Sequence, residues 1–265
     1  MAAGWVDQLR EDWDAAGLRL WEKVQDPVAR SWEQQFGETA AGQFEAEHRA
    51  LVRELREKAA PDWQRIELTI KDVLESREGD WRAGFIPLFQ GLTEEWADEW
   101  AVELGVDFAL TRPQVLEFVE DYAFQFVERH QGVTRDALAR TVALAHSEGW
   151  GTLEFMGQLQ TLYEGWEVLR SEMIARTETI RSENAGSLAA YQVAEVRELQ
   201  WWTALDDRVC AFCNALHGRK WPTGDTLFRV GDQFRVEDAV LRLNYEDVKH
   251  PPLHVFCRCT LLPVV

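Results

Sequence analysis

Several familiar chemistries have nothing to stand on in this chain. No stretch approaches the roughly 18 uninterrupted apolar residues that a membrane-spanning helix requires. The opening MAAGWVDQLREDWD carries acids where a signal peptide needs bases and an apolar run, so synthesis and retention in a cytosol are expected. There is no G-x-S-x-G elbow, no phosphate-cradling glycine loop and no H-E-x-x-H pair. Fixed-period repeats and low-complexity tracts are missing as well. Positive charge is short: 28 bases stand against 46 acids, for a net charge of −18. Residues 1–170 carry 33 of the acids and 17 of the bases, whereas residues 171–265 are nearly balanced. A long acidic segment is repelled by DNA, so phosphate binding along it is disfavoured. A protein partner offering basic or apolar grooves fits better, beside the plainer reading of a solvated helical face.

What the chain does have is tryptophan and helical spacing. Its 13 Trp supply large amphipathic anchors for packing or contact surfaces. Trp5, Leu9, Trp13, Leu20 and Val24 recur near the helical period, and Pro27 marks a stop. Phe44, Leu51 and Leu55 continue the pattern to Pro61, which suits the start of a helix through Trp63, Ile66, Ile70, Val73 and Leu74. Gly79-Asp80 and Ile86-Pro87 predict breaks in the next stretch, which holds Trp81, Phe85, Phe89, Trp96 and Trp100. Val115, Phe118, Val119, Tyr122, Phe126 and Val127 line another helix, and Thr134 is placed as the N-cap of a segment from Arg135 to Ser147. Gly149 and Gly151 interrupt the chain, and Thr152 to about Leu199 reads as helix again. Glu178 and Glu183, with Arg176 and Arg181, are spaced for ion pairs along a helix surface.

The character changes at Trp201-Trp202. Glycine and proline crowd the tail, and apolar runs shrink to pieces such as Thr226–Val230 and Gln233–Val236. The fold expected is mainly α: a long helical N-terminal region followed by a small, loop-rich α+β C-terminal domain. The divisions are an acidic, Trp-rich arm over 1–130, a helical lead-in over 131–200 and a Cys/His domain over 201–265. So short a tail has a thin core and needs a staple.

All four cysteines lie in that tail. Cys210-x-x-Cys213 is followed, far along the chain, by His254-x-x-Cys257-x-Cys259. Two thiolates on a tight turn grip one side of a tetrahedral ion, and a second short cluster completes the shell. A structural zinc ion is therefore expected, with five candidates for four positions. His217 and His250 are further imidazoles nearby in sequence. Two disulfides or four unrelated buried thiols are the competing accounts, and cytosolic production disfavours the first. One enzymatic pattern also has to be weighed. His146-Ser147-Glu148 followed by Cys210-x-x-Cys213 echoes the zinc deaminases, but Val209 stands where those have Pro, and strand–helix alternation is lacking. His146 reads better as a helix-terminal histidine, and no enzyme is expected.

The segment Met173-Ile174-Ala175-Arg176-Thr177-Glu178-Thr179, with Asn184-Ala185-Gly186 and Tyr191, resembles the helix leading into the phage Mu F-like head-morphogenesis domain. Trp202-Thr203 and the run Asp206-Asp207-Arg208-Val209-Cys210-Ala211-Phe212-Cys213, with Leu216 and Gly218, resemble that family's W-x(5)-D-x-x-C-x-x-C-x(4)-G core. The closing Pro251-Pro252-Leu253-His254-Val255-Phe256-Cys257-Arg258-Cys259 is similar to its P-P-x-H-P-x-C-R-C segment. Val255 stands where the family usually has Pro, and Phe256 where it often has Asn. The likeness covers about residues 134–265. It implies a minor head protein of a tailed double-stranded DNA phage, present in several copies per virion and assembled in the host bacterial cytoplasm. The partners implied are a portal or major capsid protein at or near the portal vertex. Alternatives are a zinc module touching packaged DNA through bases such as Arg229, Arg235 and Arg242, or a deaminase or toxin-type enzyme.

Overall fold

The computed structural model describes residues 27–56, 62–203 and 209–264. The stretch through Trp5, Leu9, Trp13, Leu20 and Val24, and Pro61, lie outside the described residues. Helix α1 spans Pro27–Arg56, α2 Trp63–Leu104, α3 Arg112–Glu148, α4 Thr152–Gly165 and α5 Ser171–Val193. A 3-10 turn, Phe108–Leu110, precedes α3, and one π-helical turn, Trp166–Arg170, joins α4 to α5. Strand β1 is Glu198–Trp202, α6 Ala211–Leu216, β2 Lys220–Pro222, β3 Asp232–Val236, β4 Ala239–Leu243 and β5 Thr260–Val264. The described residues form two compact units: those of 35–91 with 116–175, and those of 27–34, 92–115 and 176–264.

The first unit is helical and its core is aromatic. Phe36 and Phe44 on α1, Trp81, Phe85 and Phe89 on α2, and Phe126 on α3 are fully buried at helical spacing. Phe85 and Phe126 lie 4.5 Å apart between ring centres, and Phe89 meets Phe126 edge-on at 5.3 Å. This packing corrects the expected breaks at Gly79-Asp80 and Ile86-Pro87, because α2 runs through both. An interior proline costs about 3 kcal/mol. Burial of the three flanking rings, Trp81 and Phe85 before it and Phe89 after it, each worth roughly 1.5–3 kcal/mol, outweighs it. Thr134 is likewise not an N-cap. It is buried inside α3, and its hydroxyl accepts from the Arg170 guanidinium at 2.9 Å. Gly149, at φ +69°, and Gly151 do end α3 and cap α4. Glu47 is buried here and accepts from Tyr163 at 2.7 Å, Gln131 at 3.1 Å and Trp81 at 3.3 Å.

In the second unit, β1 is the central strand of an antiparallel sheet in the order β2-β1-β5. Leu199 pairs with Trp221 and Pro263, and Trp201 with Leu261. The helical reading through Leu199 thus runs too far. Helix α5 ends at Val193, Glu195 turns the chain at φ +55°, and burial of Leu199 and Trp201 shows the two-residue period of a strand. Strands β3 and β4 form a separate hairpin that includes the expected Gln233–Val236. The run Thr226–Val230 forms no strand and contributes one bridge, Phe228 to Val248.

Helix α5 is buried along much of its length, which corrects the surface ion-pair reading. Glu178, Arg181 and Glu183 are almost fully enclosed. Arg181 bonds both Glu178 and Glu246, and Arg176 holds Glu33 at 2.9 Å. Acid–base spacing looks the same on a solvated face as in an internal network, so only packing distinguishes the two. Gly186 sits at the closest approach to α2. A Cβ there would lie 2.5 Å from the Thr93 carbonyl oxygen and 2.9 Å from the Trp96 Cβ.

Candidate metal centre

Two short segments deliver the donors. Cys210 is the N-cap of α6, with extended backbone, and its Sγ accepts from the Cys213 N–H at 3.3 Å. The first turn of α6 therefore presents Cys210 and Cys213 from one knuckle. The second segment is the loop into β5. The Cys257 N–H donates to the His254 carbonyl at 3.2 Å, which folds the loop back so that His254 and Cys257 face the knuckle. Cys259 follows immediately before β5.

Helix α5 holds this second segment in place. The Thr177 hydroxyl accepts from the Phe256 N–H at 3.1 Å. The Asn184 amide donates to the Cys259 carbonyl at 3.3 Å and accepts from the Leu261 N–H at 2.6 Å, doing with one side chain what a neighbouring strand would do. The Tyr191 hydroxyl donates to the Leu261 carbonyl at 3.0 Å. Tyr245 donates to the Leu253 carbonyl, and Arg181 ties Glu246 beside it. Sequence reasoning singled out Thr177, Asn184 and Tyr191 by resemblance alone, without a role. It missed Tyr245, whose partner Leu253 lies eight residues on in a loop with no periodic pattern, and Glu246, whose partner Arg181 lies 65 residues away.

All five expected donors converge. Cys210 Sγ lies 3.0 Å from His254 Nε2, Cys213 Sγ 3.2 Å from the same nitrogen, and Cys213 Sγ 3.7 Å from Cys257 Sγ. Cys210, Cys213 and His254 have ligand atoms within 4.8 Å of one another, and so do Cys213, Cys257 and Cys259. Cys213 belongs to both groups. No cysteine is in a disulfide, and 3.7 Å is far beyond the bond length of about 2.05 Å. It does match the sulfur–sulfur edge of about 3.8 Å around a tetrahedral ion with zinc-like bonds. The donors enclose a cavity of about 30 Å³, with Val209, Phe256 and Arg258 completing its lining. Cys213, Cys257 and Cys259 are only 1–3% exposed. Hydrogen bonds with Cys257 and Cys259, then burial, push the Cys213 thiol far above its ordinary pKa. Burial opposes ionisation of Cys257 too, but its bonds with Cys213 and Cys259 and the nearby His254 hold it well below. Packed thiols of this kind cannot ionise together without a cation among them. The residues present fit a metal ion.

The other histidines lie outside the cluster. His217 Nδ1 contacts the Thr203 hydroxyl at 3.1 Å, and its ring packs on Trp202. His250 Nδ1 contacts the Pro251 carbonyl at 2.6 Å, and burial pushes its pKa down to about 4. His146 occupies the last turn of α3, as expected of a helix-terminal histidine. Neither it nor Glu148 joins any metal-competent group among the described residues.

Fold and centre together define a largely helical protein that ends in a small strand-containing region with a clustered Cys/His site. Comparison with protein families places it further. Residues 133–262 match the family described as Phage Mu protein F like protein, and this segment of the chain belongs to that family. No curated protein and no solved structure matches the chain. No helix among the described residues is long and apolar enough to cross a membrane.

Proposed function

We propose that the protein is a minor head protein of a tailed double-stranded DNA phage, acting in head morphogenesis at or near the portal vertex. The observation that carries this reading is the family membership of residues 133–262, which takes in the knuckle, α5 and the closing loop. In this reading the Cys/His cluster is structural: Cys210, Cys213, His254, Cys257 and Cys259 supply the donors for one zinc ion. Bound there, the ion supplies folding energy, not chemistry, because the donor set leaves no position for a substrate. The chain's own residues complete the staple. Asn184 and Thr177 hold the closing loop on α5, and the Cys210 cap holds α6.

The acidic arm, residues 1–130, is the surface offered to a portal or capsid protein. Trp5, Trp13 and Trp21, which lie outside the described residues, are its proposed anchors. Aromatic anchors at the centre of an interface are each worth about 2 kcal/mol or more. Co-expression with the phage's portal protein tests this. Trp5→Ala with Trp13→Ala should abolish co-purification while the circular dichroism of the helices is unchanged. Undiminished co-purification would move the contact elsewhere, and cryo-electron microscopy of the portal vertex would locate it.

A further inference from the structure

Among the described residues, the indole N–H groups of Trp201, Trp202 and Trp221 are buried without a hydrogen-bond partner. An indole N–H can only donate, and a buried donor normally finds an acceptor. The sheet register sets Trp201 apart from the other two. On β1, Leu199 and Trp201 are buried while Gln200 and Trp202 are half-buried, so Trp201 and Trp202 point to opposite faces. Trp201 pairs with Leu261 on β5. The chain entering β5 alternates in the same way: Cys257, Cys259 and Leu261 are buried, with Arg258 and Thr260 half-buried between them. Cys259 therefore faces the side that Trp201 faces, one diagonal step across the strands, a span that an aromatic side chain bridges. Trp221 lies on β2, on the far side of β1 from β5. The Trp201 backbone is pinned as well: its N–H donates to the Arg219 carbonyl at 2.9 Å, and its carbonyl accepts from the Gly218 N–H at 2.8 Å. The Cys259 thiol stands well above its ordinary pKa. Its bond with Cys213 works against that shift, its bond with Cys257 and its burial cause it, and the Trp201 indole joins Cys213 in favouring the thiolate. The indole thus lies beside the sulfur, yet short of a hydrogen bond with it. A neutral thiol is a weak acceptor, whereas the thiolate that binds a metal accepts a charge-assisted bond.

We propose that the Trp201 indole N–H donates to the Cys259 thiolate of the metal-bound protein, making Trp201 the residue that positions Cys259 as a ligand. This rests on the zinc reading above and deepens it, because it commits Cys259 to the metal shell. The buried N–H gains its acceptor only when the sulfur is ionised. Metal binding and the closing of β5 onto β1 therefore support each other.

The test uses the full chain purified reduced, with zinc affinity measured by competition against a chromophoric chelator. Trp201→Phe keeps an aromatic ring and removes the N–H. Trp221→Phe makes the same change on the opposite strand and serves as the control. Trp201→Phe should weaken zinc binding by about 10–100-fold, the usual effect of losing a hydrogen-bond partner of a metal ligand. Trp221→Phe should leave it unchanged. A smaller ring also loosens packing, so a second measurement leaves the sequence intact. In wild-type protein loaded with cadmium-113, the Trp201 indole proton, assigned by its disappearance in Trp201→Phe, should show a scalar coupling to the metal. Such coupling requires a continuous N–H···S–Cd path, which packing alone does not create. Absence of the coupling, equal zinc affinities in the two Phe variants, or full affinity in Cys259→Ser would each overturn the proposal and leave the zinc reading standing. Wild-type protein that takes up neither zinc nor cadmium would remove the zinc reading itself.

Discussion

Glu183 shows what a single buried side chain does to the whole. It is 3% exposed on α5, and burial pushes its pKa up to about 8. The Trp96 indole opposes the shift, Glu33 and Glu95 add to it, and Arg176 works against it. The native state therefore keeps a proton that the unfolded chain releases near its ordinary value of 4.5. Between those values the native state binds more protons, so stability falls as pH rises from about 4.5 to about 8 and is full below that window. The effect is on the order of 4–5 kcal/mol across the window. Glu183→Gln should flatten its share of that slope, so urea unfolding at pH 5 and pH 8.5 should differ less than in wild type. Equal slopes in the two proteins would remove Glu183 as the cause. Phe256 is a second case. It sits at φ +59°, where a side chain other than glycine or asparagine costs roughly 1–2 kcal/mol, and it is half exposed. Phe256→Asn should raise the unfolding free energy of the metal-bound protein by about 1 kcal/mol, read by denaturant titration. A loss of stability would mean that the ring's packing outweighs the strain.

At the scale of elements, glycine and proline had to be read in context. Gly79 and Gly186 both lie inside long helices, yet a Cβ meets nothing within 4 Å at the first and a carbonyl at 2.5 Å at the second. Gly79→Ala should stabilise by roughly 0.5–1 kcal/mol, since helix interiors favour alanine. Gly186→Ala should destabilise by about 1–3 kcal/mol or more, because α5 and α2 must move apart. Guanidinium unfolding of the pair checks both signs, and a neutral Gly186→Ala would mean the crossing is looser than described. Helix α5 itself was legible as a helix. That it is enclosed, and that Asn184 serves as a surrogate strand for β5, was not, because the groups it bonds lie more than 70 residues away.

For the whole molecule, the metal is the decisive test. Protein purified reduced should contain about one zinc ion per chain. Removing it with a chelator should expose residues 201–264 to protease while helicity persists, since a structural zinc contributes on the order of 10 kcal/mol to a region with little core of its own. Metal content under about a tenth of an ion per chain, or a tail still resistant without metal, would point to simple core thiols instead.

Helical content, the change of character near residue 200 and the five-donor cluster were written in local patterns, which is why they could be read from the chain alone. Periodicity reports which face of a segment is apolar, and the close spacing of the paired cysteines brings their sulfurs to one place. Tertiary structure decided the rest. It carried α2 through Pro87, turned the Arg176–Glu183 charges inward, made Leu199 part of a strand, and set Cys210 and His254 against each other while the remaining thiols were anchored. Each of these depends on what a residue meets across the fold, and burial worth roughly 1.5–3 kcal/mol per large side chain overrides local preferences worth about one.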